Sequence, residues 1–241
     1  MRTFGRLAMR PTTIIVSRSS SGERIRSALE LEVPRRVLVL NGGTDALPPE
    51  IEGRLRSLLR DGLARVVVED ELTVVTGGTD VGVFRLFGAG LSGGTAPVIG
   101  VAPARRVLPD ESSSGQRVPL ESHHTHFVLV EDADWGDETQ VMVSLADALS
   151  SGAPSLAVLA NGGSVARSEV LGHVRVGREV VVLAGSGRLA DEITDVVTGR
   201  VTASEPDLRE IAAGRITLLD AQATSSALRA LVRSRLGTHC A

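Results

Sequence analysis

Six short runs of valine, leucine and isoleucine recur along this 241-residue chain, at Arg36 to Leu40, Leu72 to Val75, Val98 to Val101, Phe127 to Val130, Leu156 to Leu159 and Val180 to Leu183. Each closes in a turn of small residues, and most lead into an amphipathic stretch. A continuous apolar run is what a strand shows when helices cover both of its faces, so these segments read as buried parallel strands. Between the first two, Ile51, Leu55, Leu58, Leu59, Leu63 and Val66 follow a 3.6-residue period, starting just after Pro48-Pro49. Proline suits a first helical turn, so the period predicts one helix there. Strand alternating with helix requires right-handed crossovers. The fold expected is therefore α/β and Rossmann-like, a doubly wound, mostly parallel sheet with helices on both faces.

The ends of the pattern are looser. Thr12 to Val16 is a candidate extra strand followed by the polar run Ser17 to Gly22, so residues 1–32 read either as an appendage or as an added strand and helix. Residues 33–241 read as a single domain. Pro103 to Ser122 holds three prolines and Glu111-Ser-Ser-Ser-Gly115, a loop long enough to be a lid or simply mobile. Arg215 to Leu219 predicts a last strand, and Leu228, Leu231, Val232 and Leu236 a closing helix. No internal repeat is present.

Composition removes several function classes. No apolar run reaches the roughly 18 residues of a membrane helix, and Met1 to Arg10 lacks the apolar core of a secretory signal, so the expectation is a cytoplasmic protein without membrane insertion. The single thiol, Cys240, has no partner for a disulfide or thiolate metal site. All 26 basic side chains are arginine, which removes the lysine that Schiff-base and P-loop chemistry need. The net charge of -3 argues against a nucleic-acid partner.

In a doubly wound sheet ligands bind beyond the carboxyl ends of the strands, so chemistry belongs in the post-strand loops. Four are glycine-rich: Asn41-Gly-Gly-Thr44, Thr76-Gly-Gly-Thr-Asp-Val-Gly82, Asn161-Gly-Gly-Ser164 and Gly185-Ser-Gly-Arg-Leu-Ala190. Glycine lets backbone N–H groups approach an anion, and a helix N-terminus adds about half a positive charge, so phosphate is the natural guest. One such loop is explained by turn geometry alone; several on one sheet edge point to a ligand. Gly185-x-Gly187-x-x-Ala190 matches a dinucleotide fingerprint but follows a late strand, and Glu205 or Asp207 is a poor ribose partner because Ser204-Glu-Pro-Asp207 has the look of a helix cap. A nicotinamide dehydrogenase is therefore disfavoured. Arg188, at the start of a helix, either meets an anion or pairs with an acid such as Asp191.

His123, His124 and His126 precede a strand without metal-site spacing, and are assigned a structural role, bonding neighbouring backbone. The acidic run Glu131-Asp-Ala-Asp-Trp-Gly-Asp-Glu138 is either a magnesium site or a solvated loop whose Asp137 caps the next helix; no metal and no required cofactor are assigned. Trp135, the one tryptophan, either stacks on a base or packs.

Thr73-Val-Val-Thr-Gly-Gly-Thr-Asp-Val-Gly-Val-Phe-Arg85, Val98-Ile-Gly-Val-Ala-Pro103, His124-Thr-His-Phe-Val-Leu-Val-Glu131 and Val181-Val-Leu-Ala-Gly-Ser-Gly-Arg-Leu-Ala-Asp191 together resemble the SLOG domain of the cytosolic N-terminus of TRPM-type cation channels, in the version found as stand-alone bacterial proteins. The resemblance spans roughly residues 34 to 220. It implies an α/β nucleotide-ligand fold related to the LOG phosphoribohydrolases and to the DNA-processing protein DprA, and a sensor of a nucleotide-like ligand such as ADP-ribose or an NAD derivative. By position it implies ligand-binding residues Gly77, Gly78, Thr79, Asp80, Asn161, Gly162, Gly163, Ser164, Gly185, Ser186, Gly187 and Arg188, with Arg188 on phosphate. LOG enzymes carry Pro-Gly-Gly-x-Gly-Thr-x-x-Glu and an arginine from the preceding helix. Here Asn161-Gly-Gly-Ser-Val-Ala-Arg-Ser-Glu169 keeps the paired glycines and Glu169 but replaces the Gly-Thr, and the candidate helix Thr139 to Leu149 has no arginine. Three readings follow: a non-hydrolysing sensor that signals to an effector protein through residues 1–32; a nucleotide hydrolase acting through Glu169; or a ligand-free oligomeric scaffold. Each is compatible with a homo-oligomer.

Overall fold

The computed structural model describes residues 10–44, 47–107 and 117–237. Eight strands form one wholly parallel sheet in these residues. In chain order the elements are β1 (Thr12–Val16), α1 (Gly22–Ala28), β2 (Val37–Gly42), α2 (Pro49–Arg56), a π-helical segment (Ser57–Leu63), α3 (Ala64–Glu69), β3 (Thr73–Thr76), α4 (Gly82–Gly88), β4 (Val98–Pro103), α5 (Ala104–Val107), β5 (His126–Val130), α6 (Thr139–Leu149), β6 (Ser155–Ala160), α7 (Ser164–Arg175), β7 (Glu179–Ala184), α8 (Leu189–Val197), α9 (Pro206–Ala212), β8 (Ile216–Asp220) and α10 (Ser225–Leu236). The strand order is β1-β5-β4-β3-β2-β6-β7-β8. The direction of winding therefore reverses between β2 and β6, which pair from Val37 opposite Ser155 to Gly42 opposite Ala160. Such a reversal splays the loops on either side and opens a crevice at the carboxyl ends of the strands.

Both faces of the sheet are covered, which accounts for the unbroken apolar runs. Val37, Val39, Val75 and Ile99 point into the layer made with α1, α6, α7, α8 and α9. Leu38, Leu40, Val74 and Val98 point into the opposite layer, with α2, α3, α4 and α10. Each fully buried valine or leucine side chain contributes about 1.5–3 kcal/mol of hydrophobic stabilisation. Residues 12–28 join this framework: β1 pairs with β5 from Thr12 opposite His126 to Val16 opposite Val130, and Gly22 of α1 donates its N–H to Ser144 Oγ of α6 at 2.8 Å.

Two expectations are corrected. The helix read over Ile51 to Val66 has a π-helical segment between α2 and α3. The apolar period survives because Leu55, Leu58, Leu59 and Leu63 all remain buried. The insertion coincides with the contact of Gly62 against Ser225 and Leu228 of α10, where an added Cβ would stand 3.3 Å from Leu228 Cδ2. Asp137 does not cap α6: its Oδ2 accepts from Asp134 N at 2.8 Å, and Glu138 is the N-cap residue. The expected doubly wound sheet is present, and each of its strand pairings is parallel. Of the long loop after β4, residues 108–116, with Glu111 to Gly115, lie outside the described residues, as do residues 1–9 and Cys240. The end of that loop is tied down, with Leu120 bridged antiparallel to Thr79 and Asp80 N donating to Pro119 O at 2.7 Å.

Candidate functional site

A cleft of about 410 Å³ lies at the β2/β6 reversal. The ends of four strands and the loops after them build it: Gly42 at the end of β2 with Gly43 and Thr44 after it; Gly77, Thr79 and Val81 after β3; Gly163 and Ser164 after β6; Arg188 after β7. Phe84, Val118 and Trp135 add apolar walls, and Glu138 and Glu169 a carboxyl-bearing one.

The first turn of α7 faces this cleft. Its N-cap residue is Gly163, and no side chain caps it, so the turn presents backbone donors and the positive end of the helix dipole. Arg188 lies against the same turn. A Cβ on Gly163 would sit 2.6 Å from Arg188 Nη2, so glycine at this position is what lets the guanidinium lie across the helix entrance. Arg188 holds a φ of 53°, a backbone conformation that L residues rarely adopt outside constrained sites. It is the N-cap residue of α8, whose own first N–H groups are occupied: Leu189 N bonds Gly162 O at 3.2 Å and Ala190 N bonds Asn161 O at 3.1 Å. In the same turn, Asp191 Oδ1 accepts from Gly185 N at 2.7 Å.

At the carboxyl wall, Glu169 Oε2 accepts from Asn41 Nδ2 at 2.9 Å. Burial, and after it the neighbouring Glu138, push the Glu169 carboxyl up to about 8. Glu138 accepts from Gly136 N at 2.7 Å and is pushed up to about 7, again chiefly by burial. The two carboxyls are coupled, and a charge on Glu138 opposes ionisation of Glu169. At neutral pH this wall carries protons and can donate as well as accept. Two buried polar atoms at the site, Asn41 Oδ1 and Thr79 Oγ1, have no hydrogen-bond partner.

The candidate residues thus divide. Gly77, Thr79, Gly163, Ser164, Glu169 and Arg188 line the cleft together. Asn161 and Ser186 are buried and bond each other: Asn161 N donates to Ser186 Oγ at 2.8 Å and Asn161 Nδ2 to Ser186 O at 2.7 Å, clamping the loops after β6 and β7. Gly78, Asp80, Gly162, Gly185 and Gly187 shape these loops without lining the cleft. At Gly78, φ is +69° and a Cβ would meet Gly100 Cα at 2.6 Å.

The histidines bond side chains rather than backbone acceptors, a further correction. His124 Nδ1 lies 2.8 Å from Glu121 Oε2, and its Nε2 lies 2.7 Å from Thr76 Oγ1, which accepts from Gly78 N at 2.8 Å. His123 Nδ1 lies 2.6 Å from Glu121 Oε1, and His126 Nδ1 lies 2.7 Å from Thr125 Oγ1. The buried Glu121–His124–Thr76 chain therefore braces the glycine turn after β3 from behind. The acidic run is a surface loop held by arginines, Arg105 on Asp132 and Arg106 on Asp134; its last member, Glu138, turns inward. No group of three or more histidine, cysteine, aspartate or glutamate side chains suited to a metal occurs among the described residues.

Sequence reasoning missed Asn41 and Glu138 as site residues. Their signals are visible in retrospect: Asn41 is a polar residue ending an otherwise apolar buried strand, and Glu138 is the acid immediately before an apolar helix.

The chain is a doubly wound α/β domain with its cleft at the winding reversal. The model of the family described as SLOG in TRPM, prokaryote, matches residues 35–229, and the chain belongs to that family. It is 27% identical over 208 residues to mouse transient receptor potential cation channel subfamily M member 2, covering 70% of this chain and 14% of the channel. Human subfamily M member 7 is 26% identical over 220 residues, which is 74% of this chain and 12% of the channel. A Caenorhabditis elegans transient receptor potential channel is 26% identical over 196 residues, or 67% and 10%. The chain thus spans about a seventh or less of these relatives. Among solved structures, the X-ray structure of TM1055, a structural-genomics target, matches with a TM-score of 0.56 at 20% identity, covering 83% of this chain and 99% of that one, a likeness of fold. No described helix is long and apolar enough to cross a membrane.

Proposed function

We propose that the cleft binds a nucleotide-derived ligand of the ADP-ribose or NAD-derivative type and that the chain acts as its sensor, without turning it over. The observation that carries this reading is the placement of Arg188 across the entrance of α7, at Gly163. A guanidinium fork and uncapped backbone N–H groups converging on one point match a phosphate oxyanion. The rest of the cleft suits the remainder of such a ligand: Trp135 and Phe84 offer faces for a base, and the protonated carboxyl wall offers donors and acceptors for ribose hydroxyls. The sensor role, and an effector protein that reads ligand-induced closure, rest on the family relationship.

A hydrolase is the second reading, favoured by the raised carboxyl pair. Glycosidic cleavage at neutral pH needs an acid that holds its proton until the leaving base takes it, and Glu169 meets that requirement. Against it, α6 brings no arginine to the cleft, and Val165 and Ala166 occupy the first turn of α7.

The deciding experiment incubates the chain with AMP, ADP-ribose, cyclic ADP-ribose and NAD, records the melting temperature, and separates the small molecules. The sensor raises the melting temperature and returns the ligand intact, and Arg188→Ala loses the rise. Release of free base, abolished by Glu169→Gln, establishes the hydrolase. Indifference to every compound leaves a scaffold.

A further inference from the structure

At the opposite end of the sheet from the cleft, a second pocket of about 290 Å³ opens where β6, β7 and β8 begin. Its buried wall is Arg178, whose side chain is 2% exposed. The guanidinium makes three hydrogen bonds, all to neutral side chains: Nε to Ser155 Oγ at 3.2 Å, Nη1 to His173 Nδ1 at 2.6 Å and Nη2 to Ser150 Oγ at 3.2 Å. His173 is held neutral, its imidazole pushed down to about 3 by burial and by Arg178 itself. The carboxylate nearest the guanidinium is Asp147, 3.9 Å away on a side chain that is 64% exposed.

Arginine remains charged at any physiological pH and has five N–H donors. Burying such a group among neutral hydrogen-bond acceptors, with its nearest carboxylate 3.9 Å away on the exposed side chain of Asp147, leaves its charge only partly compensated, an arrangement that an arriving anion would complete. The C-terminal ends of α6 and α7 approach Arg178 and offset part of the charge with partial charges alone. At the mouth, Arg215 and Arg235 converge on one carboxylate, Glu179, at 3.1 and 2.6 Å. Three guanidinium groups thus face two carboxylates, Glu179 and Asp147, and the pocket carries a formal charge of +1.

We propose that this pocket is an oxyanion site, taking a phosphate group with Arg178 as its buried fork and Arg215 and Arg235 at its mouth. Free phosphate and the phosphate of a small metabolite share that chemistry. The site is separate from the cleft and does not depend on what the cleft binds, although His173 stands one helical turn beyond Glu169 on α7 and so links the two ends of that helix.

The test titrates inorganic phosphate into the Arg188→Ala chain, which silences the cleft's own phosphate end, at constant ionic strength with chloride as balance. Calorimetry should report one phosphate per chain. The Arg215→Gln/Arg235→Gln pair, added to that background, should raise Kd at least tenfold, while the charge-matched change Arg54→Gln, distant on α2, leaves it within twofold. Repeating the titration with sulfate, then with a sugar phosphate, separates a general oxyanion site from one that selects a metabolite. Both mouth residues are surface arginines, so the result does not depend on whether Arg178→Met folds. Loss of phosphate binding in Arg188→Ala alone, or equal Kd in the mouth pair and Arg54→Gln, overturns the proposal.

Discussion

The raised Glu169 carboxyl makes a quantitative prediction. Its ordinary value of 4.5 rises to about 8 in the folded chain, chiefly through burial. Between these values the folded state holds a proton that the unfolded state releases, so the group's contribution is fully present below about pH 4.5 and is lost as the pH rises toward 8. Each pH unit in that window costs about 1.4 kcal/mol for one such proton. From pH 5.5 to 7.5 the loss attributable to Glu169 is therefore about 3 kcal/mol. Glu138, pushed up to about 7, adds a loss of the same sign over a lower window. Glu169→Gln keeps an oxygen for Asn41 Nδ2 but has no proton to lose. Urea unfolding of both chains at pH 5.5, 6.5 and 7.5 checks this: the stability of the variant relative to the parent should grow by about 3 kcal/mol across the series. Parallel profiles, with a gap constant to within about 0.5 kcal/mol, would refute the assignment of a buried, protonated carboxyl.

Gly163→Ala should separate binding from folding. Its φ of -119° suits alanine, and the new Cβ meets only the far end of a flexible side chain, so stability should change by under about 1 kcal/mol while displacement of Arg188 weakens nucleotide binding at least tenfold, read by calorimetry. His124→Leu removes a partner from buried Glu121 and from Thr76; the expected cost is about 1.5–3 kcal/mol in denaturant unfolding, with faster hydrogen exchange at the Gly78 amide.

The sheet was legible because burial on both faces leaves a mark that needs no tertiary knowledge: Val180 to Leu183 is apolar at every position, and its strand is flanked on both sides, by β6 and β8. The closing helix, at Leu228, Val232 and Leu236, was legible for the same local reason. The π-helical segment was not, because what meets Gly62 there is α10, more than 160 residues away in sequence. The site divides similarly. Glycine turns advertise themselves, and four of them do supply or shape the cleft. Their sequence does not tell a residue lining the cleft from one bracing the loop: Asn161 and Ser186 stand in the glycine turns, where they are buried and bonded to each other. The Asn41–Glu169 contact joins residues 128 apart, and the approach of Glu138 to that pair depends on how α6 and α7 pack, which no spacing encodes.

The single tryptophan, Trp135, lines the cleft and is 39% exposed, so its emission reports directly on occupancy. Titrating ADP-ribose while recording tryptophan fluorescence, in the parent chain and in Arg188→Ala, tests the central claim. A saturable change in the parent that moves to at least tenfold higher concentration in Arg188→Ala is the predicted result. A flat signal in the parent up to millimolar ligand, or equal curves in the two chains, would contradict a phosphate held by Arg188 in this cleft.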